Sequence, residues 1–310
     1  MLQLSVIICA HNPRPDYLLR VLEALREQTL PLDQWELLII DNASKKPVTD
    51  SFDLNWHPHG RITREEKLGK MLAWLKGISE ARGNIMVFVD DDNVLEPDYL
   101  EQVLVVSGQW PFIGAWGGSV RPEFESPPPS WIGDQMWRLS IEEVKEDVWS
   151  NVREGFETKP LGAGMCIRKE VGAQYLEWCR LHEMSNALDR KGDIITGYGD
   201  MNLALCAIDI GLGAGKSSHL NLKHLIPSSR LTLDYFLRHA EGDALSLLMF
   251  RAIRGFPLRE SGQTFFKTIK WRIYKIFSRQ PREVIKIHEA HMRGLQHGLK
   301  MARDYLESKQ

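Results

Sequence analysis

Met86-Val87-Phe88-Val89-Asp90-Asp91-Asp92-Asn93 is an apolar run that stops abruptly at three consecutive carboxylates. Four apolar residues rich in β-branched and aromatic types predict a buried central strand. A strand buried on both faces is typical of a parallel sheet in an α/β protein. The acids then stand at its carboxyl end, the edge where ligands bind in open α/β sheets. Carboxylates crowded there are costly unless something cationic neutralises them. A hard divalent cation does so well, because such ions are held by one or two carboxylates together with substrate phosphates. The alternative reading is a solvated acidic loop ahead of the helix that Pro97 opens.

Composition narrows the classes. The chain has 310 residues, 43% of them apolar and 26% charged, enough for a full core in one large or two modest domains. A formal net charge of -2 argues against general nucleic-acid binding. Cys9, Cys166, Cys179 and Cys206 lie far apart with no CxxC pair, and read as buried thiols of a reducing compartment. The start, Met1 to Ile8, lacks a basic leader and a cleavage site, and no run approaches the roughly 18 apolar residues of a membrane span. The expectation is a cytoplasmic protein, at most peripheral on the inner face of the cell membrane.

Outward from the acidic run, strands and helices alternate. Leu4 to Ala10 is an apolar strand ending at His11-Asn12-Pro13, and Pro15 opens a helix with Leu18, Val21, Leu22 and Leu25 at helical spacing. A second strand, Glu36 to Ile40, ends at Asp41-Asn42-Ala43-Ser44, and a third is expected near Arg61 to Thr63. Glu65 and Glu66 read as the first turn of a helix lined by Leu68, Met71, Leu72, Leu75 and Ile78 and stopped by Gly83. A helix follows the acids, and a strand over Phe112 to Val120 carries glycines suited to close backbone approach. Such βαβ alternation implies right-handed crossovers and a parallel sheet. Three strands thus end in polar residues along one edge, the layout of a nucleotide pocket.

In their order, Ser5-Val6-Ile7-Ile8-Cys9-Ala10-His11-Asn12, Leu38-Ile39-Ile40-Asp41-Asn42-Ala43-Ser44, the Gly69-bearing helix, Val87 to Asp92, Leu161-Gly162-Ala163-Gly164-Met165 and Gly197-Tyr198-Gly199-Asp200 resemble the inverting family 2 glycosyltransferases. The resemblance covers roughly the first 215 residues. It implies a GT-A fold: an α/β, mixed, mostly parallel sheet flanked by helices. The organisation expected is a catalytic domain over 1–228, with 1–120 as the nucleotide-binding half and 121–228 as the acceptor half. A helical extension over 229–310 completes it. The implied donor is a nucleotide-diphosphate sugar, a UDP-sugar first, with Mn²⁺ or Mg²⁺ as the ion.

By the same resemblance His11 lies near the base, Asp41 accepts from base or ribose, and Arg64 neutralises the pyrophosphate. An ordinary strand-to-helix turn at Asp41-Asn42 and a surface arginine at Arg64 are the competing readings. Asp90 and Asp92 fit the DxD spacing, with Asp92 as metal ligand and Asp91 as a second candidate for the ribose. A Lewis acid there stabilises the charge that grows on a departing nucleoside diphosphate. Leu161 to Arg168 reads as a strand whose Gly164 leaves room for the donor sugar. Asp200 holds the position of the general base, although Gly199 replaces the family's usual glutamate, and an N-cap is the plainer reading. His224 resembles the histidine that completes the metal site in related enzymes, and nearby Arg230 suits a segment closing over phosphate.

Three further stretches matter. Trp131 and Trp137 flank a polyproline break and offer indole faces to an acceptor sugar, or pack as core. Gly211 to Ser217 imitates a phosphate-binding loop but has Ile210 where that motif needs glycine, so its glycines read as a helix cap and turn. Residues 261–282 carry six bases and no acid between apolar residues at helical intervals, which fits a membrane surface and a lipid-linked glycan acceptor, or a docked helix. The reading is a glycosyltransferase acting on a glycan in cell-surface or extracellular polysaccharide synthesis. A nucleotidyltransferase or a non-catalytic nucleotide-sugar or glycan-binding protein is the alternative.

Overall fold

The computed structural model describes residues 2–182, 197–258 and 280–309. Nine strands form one sheet: β1 (Leu4–Ala10), β2 (Trp35–Asn42), β3 (Gly60–Glu65), β4 (Ile85–Asp90), β5 (Asn93–Leu95), β6 (Ile113–Phe124), β7 (Val148–Ser150), β8 (Cys166–Arg168) and β9 (Gly213–Ile226). Their order is β3-β2-β1-β4-β8-β6-β9-β5, with β7 also on β9. The strands β3, β2, β1 and β4 run parallel, as the βαβ alternation requires. Beyond β4 the sheet is mixed, as the resemblance implies: β8 enters antiparallel between β4 and β6, β6 and β9 pair parallel, and β5 and β7 pair antiparallel with β9. The sheet is mixed because β8 and β5 meet partners far away in the chain, and not through the single helical crossover that keeps consecutive strands parallel.

Alternation along the strands divides the core. Val6, Ile8, Leu37, Ile39, Val87 and Val89 face α1 (Pro15–Arg26) and α3 (Tyr99–Gln109). Ile7, Leu38, Ile40, Met86 and Phe88 face α2 (Lys70–Glu80), α4 (Lys169–Leu181) and α5 (Gly199–Asp209). A pleated strand sends successive side chains to opposite faces, so both sets are buried.

Two local expectations are corrected. Glu65 closes β3 and α2 begins only at Lys70, leaving Leu68 exposed; the buried face of α2 is Met71, Ala73, Trp74, Gly77 and Ile78. Leu161 to Met165 is a loop, and only Cys166–Arg168 is strand. The glycines of the false phosphate loop behave as expected: Gly211 takes φ 84° after α5, and β9 begins at Gly213.

The C-terminal part holds α6 (Leu233–Ile253) and α7 (Arg282–Glu307). Small residues four apart on α7, Ala290, Gly294, Gly298 and Ala302, form its buried stripe with Ile287 and Tyr305. Gly294 lies against Glu241 and Ala244, and Gly298 against Leu245, so the two helices run in the same direction at close range. The end of α6 is joined to α5 by Arg254, which meets Asp209, Asn202 Oδ1 at 2.5 Å and the Asn202 carbonyl at 2.7 Å. Leu245, Met249 and Phe250 share the core that holds α5. The basic stretch 261–282 lies outside the described residues except for its last three positions. No helix among the described residues is long and apolar enough to cross a membrane.

Candidate active site

The parallel register aligns three strand ends. Ala10 stands beside Asp41, and Cys9 beside Asp90. A cleft of about 470 Å³ opens there, walled by His11, Asn42, Lys70, Asp90, Asp91, Asp92, Gly162, Ala163, Asp200, His224 and Arg230 among others. His11, the three acids, Asp200 and His224 are thereby brought to one hollow.

The loops after β1 and β2 are stitched together. Asn12 and Ala43 take φ 47° and 53°, a conformation Asn tolerates better than Ala. The Asn12 amide donates to Ser44 Oγ at 2.9 Å, and Lys45 N donates to Asn12 Oδ1 at 2.8 Å. His11 Nδ1 donates to the Asn42 carbonyl at 2.6 Å and its Nε2 accepts from Asn12, which assigns the neutral tautomer. Asn42 holds the entry to α2, accepting from Gly69 N and donating to the Lys67 carbonyl.

Asp41 and Arg64 are placed differently from the cleft-facing set. The Asp41 carboxylate is buried and accepts from Ser44 N at 3.0 Å, Val48 N at 3.2 Å and Arg64 Nη1 at 2.7 Å. Burial opposes its ionisation, but these bonds outweigh it and hold the group below the usual carboxylate range. Neither residue lines the cleft. Gly164 also stands behind the wall, with φ 72°; its carbonyl accepts from Tyr99 OH at 2.7 Å, and an added Cβ would meet that oxygen at 2.4 Å. Trp131 packs edge-on against Phe236 and Trp137 lies under the Arg138 guanidinium; neither borders the cleft, whereas Ser140 does.

At the acidic wall Lys70 Nζ pairs with Asp90 Oδ1 at 2.7 Å. Asp92 Oδ2 lies 3.0 Å from Arg230 Nη2 and 3.5 Å from His224 Nε2. The antiparallel pairing Asn93↔His224 sets this juxtaposition, reinforced by Leu225 N donating to the Asp92 carbonyl at 2.8 Å. Burial alone would raise the Asp92 pKa; contact with His224 and the Arg230 charge reverse that and hold it well below the usual range. Asp91 has no such partner. Desolvation first, then the charges of Asp92 and Asp90, push it up to about 7. The wall is thus short of positive charge.

Whether a metal fits can be judged from the donors. Arg230 Nη1 donates to His224 Nε2 at 2.8 Å, so that nitrogen carries a lone pair, while Nδ1 is buried and has no hydrogen-bond partner among the described residues. An imidazole lone pair beside an ionised Asp92 oxygen is a donor set that Mn²⁺ accepts readily and Mg²⁺ less so. Among the described residues no group of three or more His, Cys, Asp or Glu side chains is arranged to hold a metal; Asp92 and His224 form a two-donor pair that suits an ion whose remaining ligands are substrate phosphates, with Asp90 beyond them on Lys70. Across the cleft Asp200, in the first turn of α5, accepts from Gly162 N at 3.0 Å and Met201 N at 2.8 Å. It is the second residue of the helix, two positions past the capping residue Tyr198.

Lys70 escaped the sequence reading. A signal was present, since a lysine opening a helix sits against the positive end of the dipole and calls for an acidic partner. With Gly69 it makes the head of α2 a place for anionic groups.

This sheet, with acids at a strand end and a carboxylate opposite on a helix, defines a nucleotide-sugar-transferase type of fold. The sequence profile described as Glycosyl transferase family 2 matches residues 5–158, and the chain belongs to that family. It is similar to the glycosyltransferase-named EpsH of Bacillus subtilis, 31% identical over 106 residues, which are 34% of this chain and 30% of the relative. Glycosyltransferase AglE of Haloferax volcanii is 27% identical over 148 residues, 46% of this chain and 47% of that one. The chain therefore spans less than half the length of these two relatives. Among solved structures, mannosyltransferase PcManGT from Pyrobaculum calidifontis, in complex with GDP-Man and Mn²⁺, superposes with a TM-score of 0.57 at 16% identity over 99% of this chain and 79% of that one. That likeness establishes the GT-A type of fold.

Proposed function

We propose that the chain is a metal-dependent inverting glycosyltransferase that moves a sugar from a nucleoside-diphosphate donor to a hydroxyl of a glycan or lipid-linked glycan. The observation that carries this reading is that Asp92 with His224 and, opposite them, Asp200 border one cleft. The names of the relatives and the ligands of PcManGT support it.

In this reading the head of α2 and Lys70 receive the diphosphate, and His11 and Asn42 border the nucleoside. Asp92 and His224 would hold a divalent ion, which when bound would supply Lewis-acid stabilisation of negative charge on the diphosphate. Asp200 accepts the proton of the incoming hydroxyl. As that oxygen bonds to the anomeric carbon, the carbon–oxygen bond to phosphate breaks on the opposite face, which inverts the centre and releases nucleoside diphosphate. The two N–H donors on Asp200 hold its carboxylate in a fixed orientation.

The test is a panel of UDP- and GDP-sugars with Mn²⁺, read by melting temperature and by nucleoside diphosphate released in the presence of glycan acceptors. Stabilisation that needs Mn²⁺ is expected for at least one donor and is lost in Asp92→Ala. Release of pyrophosphate in place of nucleoside diphosphate, or no donor stabilising the wild-type protein, would overturn the reading.

A further inference from the structure

The guanidinium of Arg230 touches both groups assigned above to the ion. Nη2 lies 3.0 Å from Asp92 Oδ2 and Nη1 2.8 Å from His224 Nε2, two atoms themselves 3.5 Å apart. One planar cation thus closes on a carboxylate oxygen and an imidazole lone pair. The arrangement is anchored in the backbone. Asp92 and His224 are fixed by the pairing of β5 with β9, and Arg230 comes from the turn Ser228–Leu231 just after β9. Ser228 N donates to Glu125 Oε2 at 2.7 Å on one side, and Thr232 caps α6 by accepting from Tyr235 N on the other. The turn is held at both ends, so the exchange requires only the arginine side chain to move.

The geometry points to Arg230 as a placeholder for the metal: its side chain neutralises the empty ligand pair and moves onto the diphosphate when ion and nucleotide enter together. This rests on the metal-site reading given under the proposed function. An ion between Asp92 and His224 needs the same lone pairs and would lie against a like charge, so the guanidinium must leave. A diphosphate arriving alone faces Asp90, Asp91 and Asp92, so it needs the ion. The displaced arginine then finds phosphate oxygens, which its fork matches two at a time. Each ligand removes the obstacle to the other, and such coupling is reciprocal. Among the described residues Lys70 pairs with Asp90 and Arg230 with Asp92 and His224, so the exchange at the ligand pair is assigned to Arg230.

Mn²⁺ binding, read from the electron paramagnetic resonance of the free ion, tests this without catalysis. It is measured on wild type, Arg230→Gln and Arg230→Lys, each alone, with UDP and with GDP, with folding checked by circular dichroism. In the wild type a nucleoside diphosphate is expected to tighten Mn²⁺ binding by about thirtyfold. In Arg230→Gln, Mn²⁺ alone is expected to bind about tenfold tighter than in wild type, and the gain from nucleotide shrinks. Arg230→Lys keeps the charge but cannot span both ligands, so it falls between them; it carries the comparison if the glutamine variant does not fold. Mn²⁺ affinity in the folded variants equal to or weaker than wild type, without nucleotide, overturns the placeholder and leaves the metal site standing. Absence of Mn²⁺ binding in every protein, even with nucleotide, overturns both.

Discussion

Asp200→Asn replaces one carboxylate oxygen by an amide at the wall of the cleft facing Asp92. The carboxylate now accepts from two backbone donors, Gly162 N and Met201 N. Asparagine has a single acceptor oxygen, so one of those N–H groups would face another donor. Loss of one such bond costs about 1 kcal/mol, a few degrees of melting temperature at this chain length. The chemical consequence is larger. An amide cannot take the hydroxyl proton, and removal of a general base lowers rates by roughly 10²–10⁴, or about 3–5 kcal/mol of barrier. The catalytic loss therefore exceeds the structural loss severalfold. The assay pairs initial rates of nucleoside diphosphate release, with acceptor present, with calorimetric titration of donor and Mn²⁺. Donor affinity is expected to stay near wild type while kcat collapses. A folded variant that transfers sugar within about tenfold of wild type would show that the base is another group.

Two stability measurements probe the frame. Gly294→Ala gains about 1 kcal/mol of helix propensity, but its Cβ would meet the Glu241 carbonyl oxygen at 2.1 Å, backbone that cannot swing aside. Overpacking of this kind costs about 1–3 kcal/mol, so urea denaturation should show net loss. Gly108→Ala in α3, with nothing within 4 Å of the new methyl, should be neutral or gain; the same sign for both variants would contradict the helix-seam reading. Buried His57 has its pKa lowered to about 4, by desolvation first and then the His59 charge, and its Nδ1 accepts from His59 N. A folded-state value below the unfolded one means that protonation favours unfolding. The contribution is whole above about pH 6.5 and is lost as pH falls towards 4, by at most about 3 kcal/mol. Denaturation midpoints between pH 7 and 4 should fall less steeply in His57→Leu than in wild type, and parallel curves would remove His57 as the cause.

Much of the first half was legible because local patterns there coincide with the fold. Strand β4 and the carboxylates after it, the polar ends of β1 and β2, and helices α1 and α3 follow from apolar periodicity and turn residues. The helix after Gly69 was placed too early, since Glu65 and Glu66 suit a helix start but the pairing of β2 with β3 claims Glu65 first. Gly164 belongs to a loop because its backbone must pass Tyr99. Such competition between local preference and a distant partner leaves no mark within a short window.

By itself the sequence determined the βαβ first half, the row of acids at a strand end and the order of motifs that marks the family, because these depend on spacing along one segment. Only the tertiary structure decided which groups meet. Asp41 turns away from the cleft onto Arg64, Lys70 reaches Asp90, Asp200 leans on Gly162, and Arg230 closes over Asp92 and His224. Apart from Arg230 with His224, these contacts join positions 20 to well over 100 residues apart, and electrostatic energy depends on separation in space, which strand pairing sets and sequence distance does not.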